Sequence, residues 1–95
     1  MRILGLDPGL KVTGWGVVDL NESNLIHVGS GKVTSDEKKA LSSRLVEIFD
    51  GVEKVVTTYS PDEVAIEETF VNVNPKSTLK LGHARGVVML VPARF

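Results

Sequence analysis

The stretch Arg2–Thr34, RILGLDPGLKVTGWGVVDLNESNLIHVGSGKVT, decides the fold class. Arg2 to Asp7 is short and aliphatic and is closed by Pro8-Gly9, a turn dipeptide, so it reads as a first strand. Thr13 to Leu20 (TGWGVVDL) reads as a second strand and Leu25 to Thr34 (LIHVGSGKVT) as a third. Asn21-Glu22-Ser23-Asn24 between them has turn composition, which makes the pair an antiparallel hairpin. Gly14, Gly16, Gly29 and Gly31 weaken these strands and mark bulges or places where other groups approach closely.

Beyond the hairpin the periodicity changes. Ser35-Asp36 offers a helix N-cap region, and Leu41, Leu45, Ile48, Phe49, Val52, Val55 and Val56 recur at helical spacing through Tyr59, until Pro61 stops the run. Glu63 to Glu68 (EVAIEE) is a short buried strand with acidic ends. A loop from Thr69 to Asn74 leads into a second helix, with Asn74 as N-cap and Pro75 at the first helical position. That helix carries Leu79, Leu81, Val87 and Leu90 and is expected to end near Pro92. The order β-β-β-α-β-α implies a mixed α/β sheet, in which the helical crossover returns Glu67 beside the first strand if the fourth strand pairs with it.

At 95 residues the chain is one domain or a piece of one. Its 42% hydrophobic and 24% charged residues are ordinary for a globular protein. The net charge of −1 supplies no global basic field, so nucleic acid would have to be met by a local patch or through metal ions. The absence of cysteine excludes disulfides, zinc–thiolate sites and thiol catalysis. The start, MRILGLDPG, lacks the basic and apolar regions of a signal peptide, and the longest apolar run, Val87 to Val91, is far too short to span a bilayer. A cytoplasmic protein is the expectation.

The chemistry concentrates at two carboxylates. Strand alternation places Ile3, Gly5 and Asp7 on one face of the first strand, and Ala65 and Glu67 on one face of the fourth. Both acids stand at strand carboxyl ends, where ligand sites of open α/β sheets collect. Two close carboxylates repel unless a cation compensates, and Mg²⁺ favours one or two carboxylate oxygens with phosphate and water completing its shell. The plainer alternative has Asp7 capping the Pro8-Gly9 turn and Glu67 as an exposed strand-end charge.

Read together, LGLDPGLKVTGWGVV, then AIEETF, then LKLGHARG closely resemble the RuvC family of Holliday-junction resolvases. A strand-end Asp-Pro-Gly, a Thr-Gly-x-Gly strand, an Ile-Glu strand followed by Phe, and a Leu-Lys-Leu-Gly-x-Ala-Arg-Gly helix occur in order over nearly the whole chain. The resemblance implies an RNase H-like fold, residues 1–95 forming the N-terminal part of one such domain. It implies a homodimer that nicks four-way junction DNA symmetrically in recombination and repair with Mg²⁺ or Mn²⁺, and a branch-migration helicase complex as a further partner. Asp7 and Glu67 match the family's first two metal-binding, catalytic carboxylates, and Phe70 the aromatic inserted near the junction point.

Lys76, Ser77, Lys80 and Arg85 on the second helix are candidate phosphate contacts, the alternative being a solvated basic face. Gly82 and Gly86 suit either close packing on the chain's own sheet or a helix contact between subunits. His83 stands where the family commonly has glutamine and takes no role from it; His27 has no assigned role, and Trp15 reads as packing. The family continues past the point matched by Phe95, with a further strand, further helices and a late acidic pair that completes the metal site. The chain is therefore expected to be a truncated, frame-shifted or partial resolvase with little cutting activity alone and with the edge of its fourth strand exposed. A non-catalytic, junction-binding or dimerising fragment is one alternative. Another is an actin-like phosphate-binding lobe, suggested by Asp7-x-Gly9 with Gly14.

Overall fold

The computed structural model describes residues 1–68 and 74–95. It contains β1 (Arg2–Asp7), β2 (Val12–Asn21), β3 (Asn24–Thr34), α1 (Leu41–Tyr59), β4 (Glu63–Ile66) and α2 (Pro75–Ala93). The strands form one sheet in the order β3-β2-β1-β4, with β1–β2 and β2–β3 antiparallel and β1–β4 parallel. The pairing of the fourth strand with the first, conditional in the sequence, is thus realised, and β4 lies at an edge of the sheet.

The sheet is one-sided. Leu4, Leu6 and Val17 face Ile48, Val52, Val55 and Val56 of α1 and Ala84, Val88 and Val91 of α2 in a single buried cluster. Each leucine, isoleucine or valine side chain among them stabilises the fold by about 1.5–3 kcal/mol through burial. Trp15 and Tyr59 extend this layer, their ring centroids 5.4 Å apart and tilted by 48°, which bears out the packing role of Trp15. The glycines of β3 make room for them: a Cβ on Gly31 would stand 2.9 Å from Trp15, and one on Gly29 2.6 Å from the Tyr59 hydroxyl. The bulge expected among these glycines falls between Val17 and Val18, whose partners are Gly29 and His27, leaving Val28 as the extra residue.

One helix end departs from the sequence reading. Helix α1 starts at Leu41 with Ala40 as an N-cap that makes no side-chain cap bond. Ser35 is diverted by tertiary structure: its hydroxyl donates to the Leu10 carbonyl and accepts from Arg44 Nε at 3.0 Å. Asp36 Oδ1 accepts from Lys38 N at 2.9 Å, closing a local turn instead of opening the helix. Helix α2 ends at Ala93, one residue past Pro92, as expected of a helix that meets a proline. The Asn74 cap is as expected: its side chain accepts from Lys76 N at 3.0 Å and Ser77 N at 3.4 Å.

The end of the sheet remote from Asp7 is fastened by Arg2. Its guanidinium donates to both Asp19 carboxylate oxygens, at 2.9 and 3.1 Å, and to the Tyr59 carbonyl at 3.0 Å, while its backbone N–H donates to Asp62. One residue thereby ties β1 to β2, to the end of α1 and to the entry of β4. The hydrogen bond from Arg2 holds the Asp19 carboxyl below the usual carboxylate range, against an opposing effect of desolvation.

Candidate nuclease site

Asp7 is the last residue of β1, and Glu67 follows directly on β4 with its backbone N–H donating to the Leu6 carbonyl at 2.9 Å. Register brings them to the same face. Gly5 lies opposite both Gly16 and Ala65, and Asp7 lies opposite Gly14. That face, with Ile3, Gly5, Asp7, Gly14, Gly16, Val18 and Ala65, contributes nothing to the buried cluster. The two carboxylates instead line one groove of about 380 Å³, floored by Gly5, Gly14, Gly16 and Ala65. The floor is open because it lacks side chains: a Cβ on Gly16 would meet nothing within 4 Å, and one on Gly14 would meet only the Asp7 Cβ, at 3.8 Å.

The turn after Asp7 bears on what its carboxylate is for. Thr13, fully buried, donates its hydroxyl to the Gly9 carbonyl at 2.8 Å and accepts from the Gly9 N–H at 3.2 Å. Pro8-Gly9 is therefore fastened by Thr13, and no hydrogen bond or ion pair joins the Asp7 carboxylate to a described residue. Gly9 is compelled at its position, since a Cβ would lie 2.2 Å from the Val12 carbonyl oxygen. The capping alternative for Asp7 thus loses its ground. Thr13 was not singled out from sequence; its signal is a hydroxyl four residues beyond the glycine of a strand-closing turn.

Exposed carboxylates that are unpaired among the described residues and face one groove make a hard-oxygen donor set that suits Mg²⁺ or Mn²⁺, which bind through one or two carboxylates and complete their shells with water and phosphate. Among the described residues no third histidine, aspartate or glutamate joins them in a metal-sized group. Glu63 pairs with Ile3 at the far end of β4, as expected, too distant to take part.

The remaining candidates lie elsewhere. Lys76, Ser77 and Lys80 are exposed on the first turns of α2 and Arg85 is half-buried further along it, with Nη1 at 2.9 Å from Met89 Sδ. None of the four lines the carboxylate groove. Phe70 lies outside the described residues. Gly82 and Gly86 are exposed, with nothing within 4 Å of a Cβ at either position, so they do not serve packing on the chain's own sheet; Ala84 between them does, fully buried. Leu79 and Leu90 stand 64% and 54% exposed on the same helix, an apolar surface continuous with the glycines. His27 Nε2 lies 3.3 Å from Ser30 Oγ, and His83 is exposed. No helix among the described residues is long and apolar enough to cross a membrane.

Comparison with known proteins places this geometry. The family model for crossover junction endodeoxyribonuclease RuvC matches residues 3–94. The chain is 60% identical over 94 residues to the crossover junction endodeoxyribonuclease RuvC of Paramagnetospirillum magneticum, and 55% identical over 93 residues to that of Rhodospirillum rubrum. These alignments cover 99% and 98% of this chain but 57% and 55% of the relatives, so the chain spans little more than half their length. Its fold matches a solved structure of T. thermophilus RuvC in complex with a Holliday junction substrate, with a TM-score of 0.89 and 25% identity, over 99% of this chain and 60% of that one. The mixed sheet with both helices on one face is accordingly an RNase H-like fold.

Proposed function

The chain belongs to the RuvC family of crossover junction endodeoxyribonucleases, and from that premise we propose that Asp7 and Glu67 are metal-binding carboxylates of a site that hydrolyses phosphodiesters in four-way DNA junctions. The observation that carries this reading is their convergence: two adjacent parallel strands deliver both acids, without other side-chain partners among the described residues, to one open groove.

The groove floor explains how a DNA backbone could reach them. Gly5, Gly14, Gly16 and Ala65 place almost nothing above the sheet, so a phosphate can approach between the two carboxylates without displacing protein atoms. Carboxylates alone would repel a phosphate; a divalent cation, Mg²⁺ or Mn²⁺, reverses that sign and supplies Lewis-acid activation of the phosphorus centre and its attacking water. Asp7 on β1 and Glu67 beside Leu6 are held by backbone ladders rather than by loops, which fixes their separation before substrate arrives. Lys76, Ser77 and Lys80, with the amino end of α2, are proposed to hold phosphates flanking the junction, and Phe70 to meet a base near its centre.

The exposed Leu79, Gly82, Gly86 and Leu90 of α2 support assembly as a homodimer through that helix. Two copies would present two grooves, as symmetric nicking requires. A branch-migration helicase complex is the further partner proposed from the family. Among the described residues the site holds two carboxylates, with no third acidic or histidine ligand grouped with them. The further ligands are proposed to come from a later acidic pair of the family's domain.

Electrophoretic mobility shift with four-way junction and linear duplex of equal length tests this reading, with Mg²⁺ present. Preferential retardation of the junction is the expected outcome, and equal, steeply salt-sensitive binding of both would refute it. Efficient junction cleavage by the 95-residue chain would overturn the assignment of its missing ligands to a later segment.

A further inference from the structure

The open face of the sheet carries a cation in line with the carboxylates. Lys32 of β3 lies opposite Gly14 of β2, which lies opposite Asp7 of β1. Residues directly opposite one another in antiparallel strands share a face. Lys32 therefore stands on the same side of the sheet as Asp7, two inter-strand spacings or about 10 Å away. Between them Gly14 has no side chain, and a Cβ there would touch only Asp7, so nothing screens one residue from the other.

We infer that Lys32 is a phosphate-binding residue on the far bank of the Asp7–Glu67 groove, contacting the same nucleic-acid strand whose backbone the carboxylates engage. This rests on the phosphodiester reading of that groove. Lys32 is exposed and makes no ion pair among the described residues, whereas Lys11, beyond the Asp7 turn, is tied to Glu37 at 3.1 Å. A lysine ammonium is a compact charge on a flexible stem, suited to a phosphate whose position shifts. At a rise of about 3.4 Å per nucleotide, a separation of about 10 Å places the Lys32 phosphate within about three nucleotides of the one at the carboxylates. The bank opposite the acids thus supplies positive charge in a chain whose net charge is −1, where no global field could hold the strand.

The test is fluorescence anisotropy of a labelled four-way junction at salt concentrations from 50 to 200 mM, comparing wild type, Lys32→Gln, Lys32→Arg and Lys54→Gln. Lys54 is an exposed lysine of α1, so its loss matches the change in net charge without touching the open face. Circular dichroism confirms that each variant is folded. Lys32→Gln is expected to reduce the slope of log affinity against log salt by about 0.9, so that its affinity falls about 3.5-fold less over that range than wild type's. Lys32→Arg should keep the wild-type slope, and Lys54→Gln should change it by much less than Lys32→Gln. A Lys32→Gln slope equal to wild type, or to that of Lys54→Gln, overturns the assignment. Failure of the wild-type chain to bind the junction at all would instead remove the phosphodiester reading, and the role of Lys32 with it.

Discussion

Gly51→Ala and Gly82→Ala are the same chemical change in two helices of this chain, and the structure gives them opposite signs. In isolation each adds helix propensity worth about 1 kcal/mol. Gly82 is exposed, with nothing within 4 Å of a Cβ, so that gain is realised in full. Gly51 sits where α1 crosses β3: a Cβ there would lie 2.3 and 3.0 Å from the two Val33 methyls and 3.2 Å from the Val33 Cβ. Val33 is buried in the core, and the contact with its Cβ means that a rotamer change alone does not relieve it. Overpacking of this kind costs about 1–3 kcal/mol. Gly51→Ala is therefore expected to be destabilising by about 1 kcal/mol net, while Gly82→Ala is stabilising by about the same amount. In a domain of this size 1 kcal/mol moves Tm by about 4–8 °C, so the two variants should melt on either side of wild type. Urea midpoints read by circular dichroism, with thermal melts alongside, measure it. Stabilisation by Gly51→Ala comparable to that of Gly82→Ala would refute the close packing of α1 on β3.

Two further perturbations probe the frame that holds the site. The Asp19 carboxyl, held low by Arg2, stays ionised in the folded chain at pH values where the unfolded chain begins to protonate near its ordinary value of about 4. The unfolded state then binds more protons, so this contribution is complete above about pH 4 and is lost as pH falls through the folded value. Asp19→Asn should flatten the acid limb of the urea midpoint against pH and leave its neutral slope unchanged. Removing the double acceptor at the start of α2 with Asn74→Ala should cost about 1 kcal/mol, read as a lower denaturation midpoint with the slope m unchanged.

How much of this was legible in the sequence depended on the range over which each residue's partners lie. Asp7 and Glu67 could be placed on facing edges of two strands from period-two alternation alone, because a strand's faces are set by local geometry. Their convergence needed only that β4 return parallel to β1, the ordinary outcome of a helical crossover. The start of α1 was misplaced because Ser35 and Asp36 are good caps locally, and the competing partners of Ser35, Leu10 and Arg44, are set by tertiary structure. The end of α2 near Pro92 was legible because a proline stops a helix through its own ring and missing N–H, whatever the tertiary structure. Lys32 stayed hidden for another reason: its significance lies in register, and register across β2 and β3 is interrupted by the unpaired Val28. The open glycine floor likewise emerges only when three strands are laid side by side.

The central claim is that Asp7 and Glu67 together hold a divalent cation over that floor. It is tested most directly by paramagnetic broadening of backbone amide signals on titrating Mn²⁺ into the ¹⁵N-labelled chain, with Mg²⁺ as competitor. The amides of Asp7, Gly14 and Glu67 should broaden first and recover when Mg²⁺ is added. Asp7→Asn and Glu67→Gln should each abolish the effect while leaving the rest of the spectrum in place. Broadening centred on other acidic residues, such as Glu37 or Glu53, or unchanged in both variants, would contradict it.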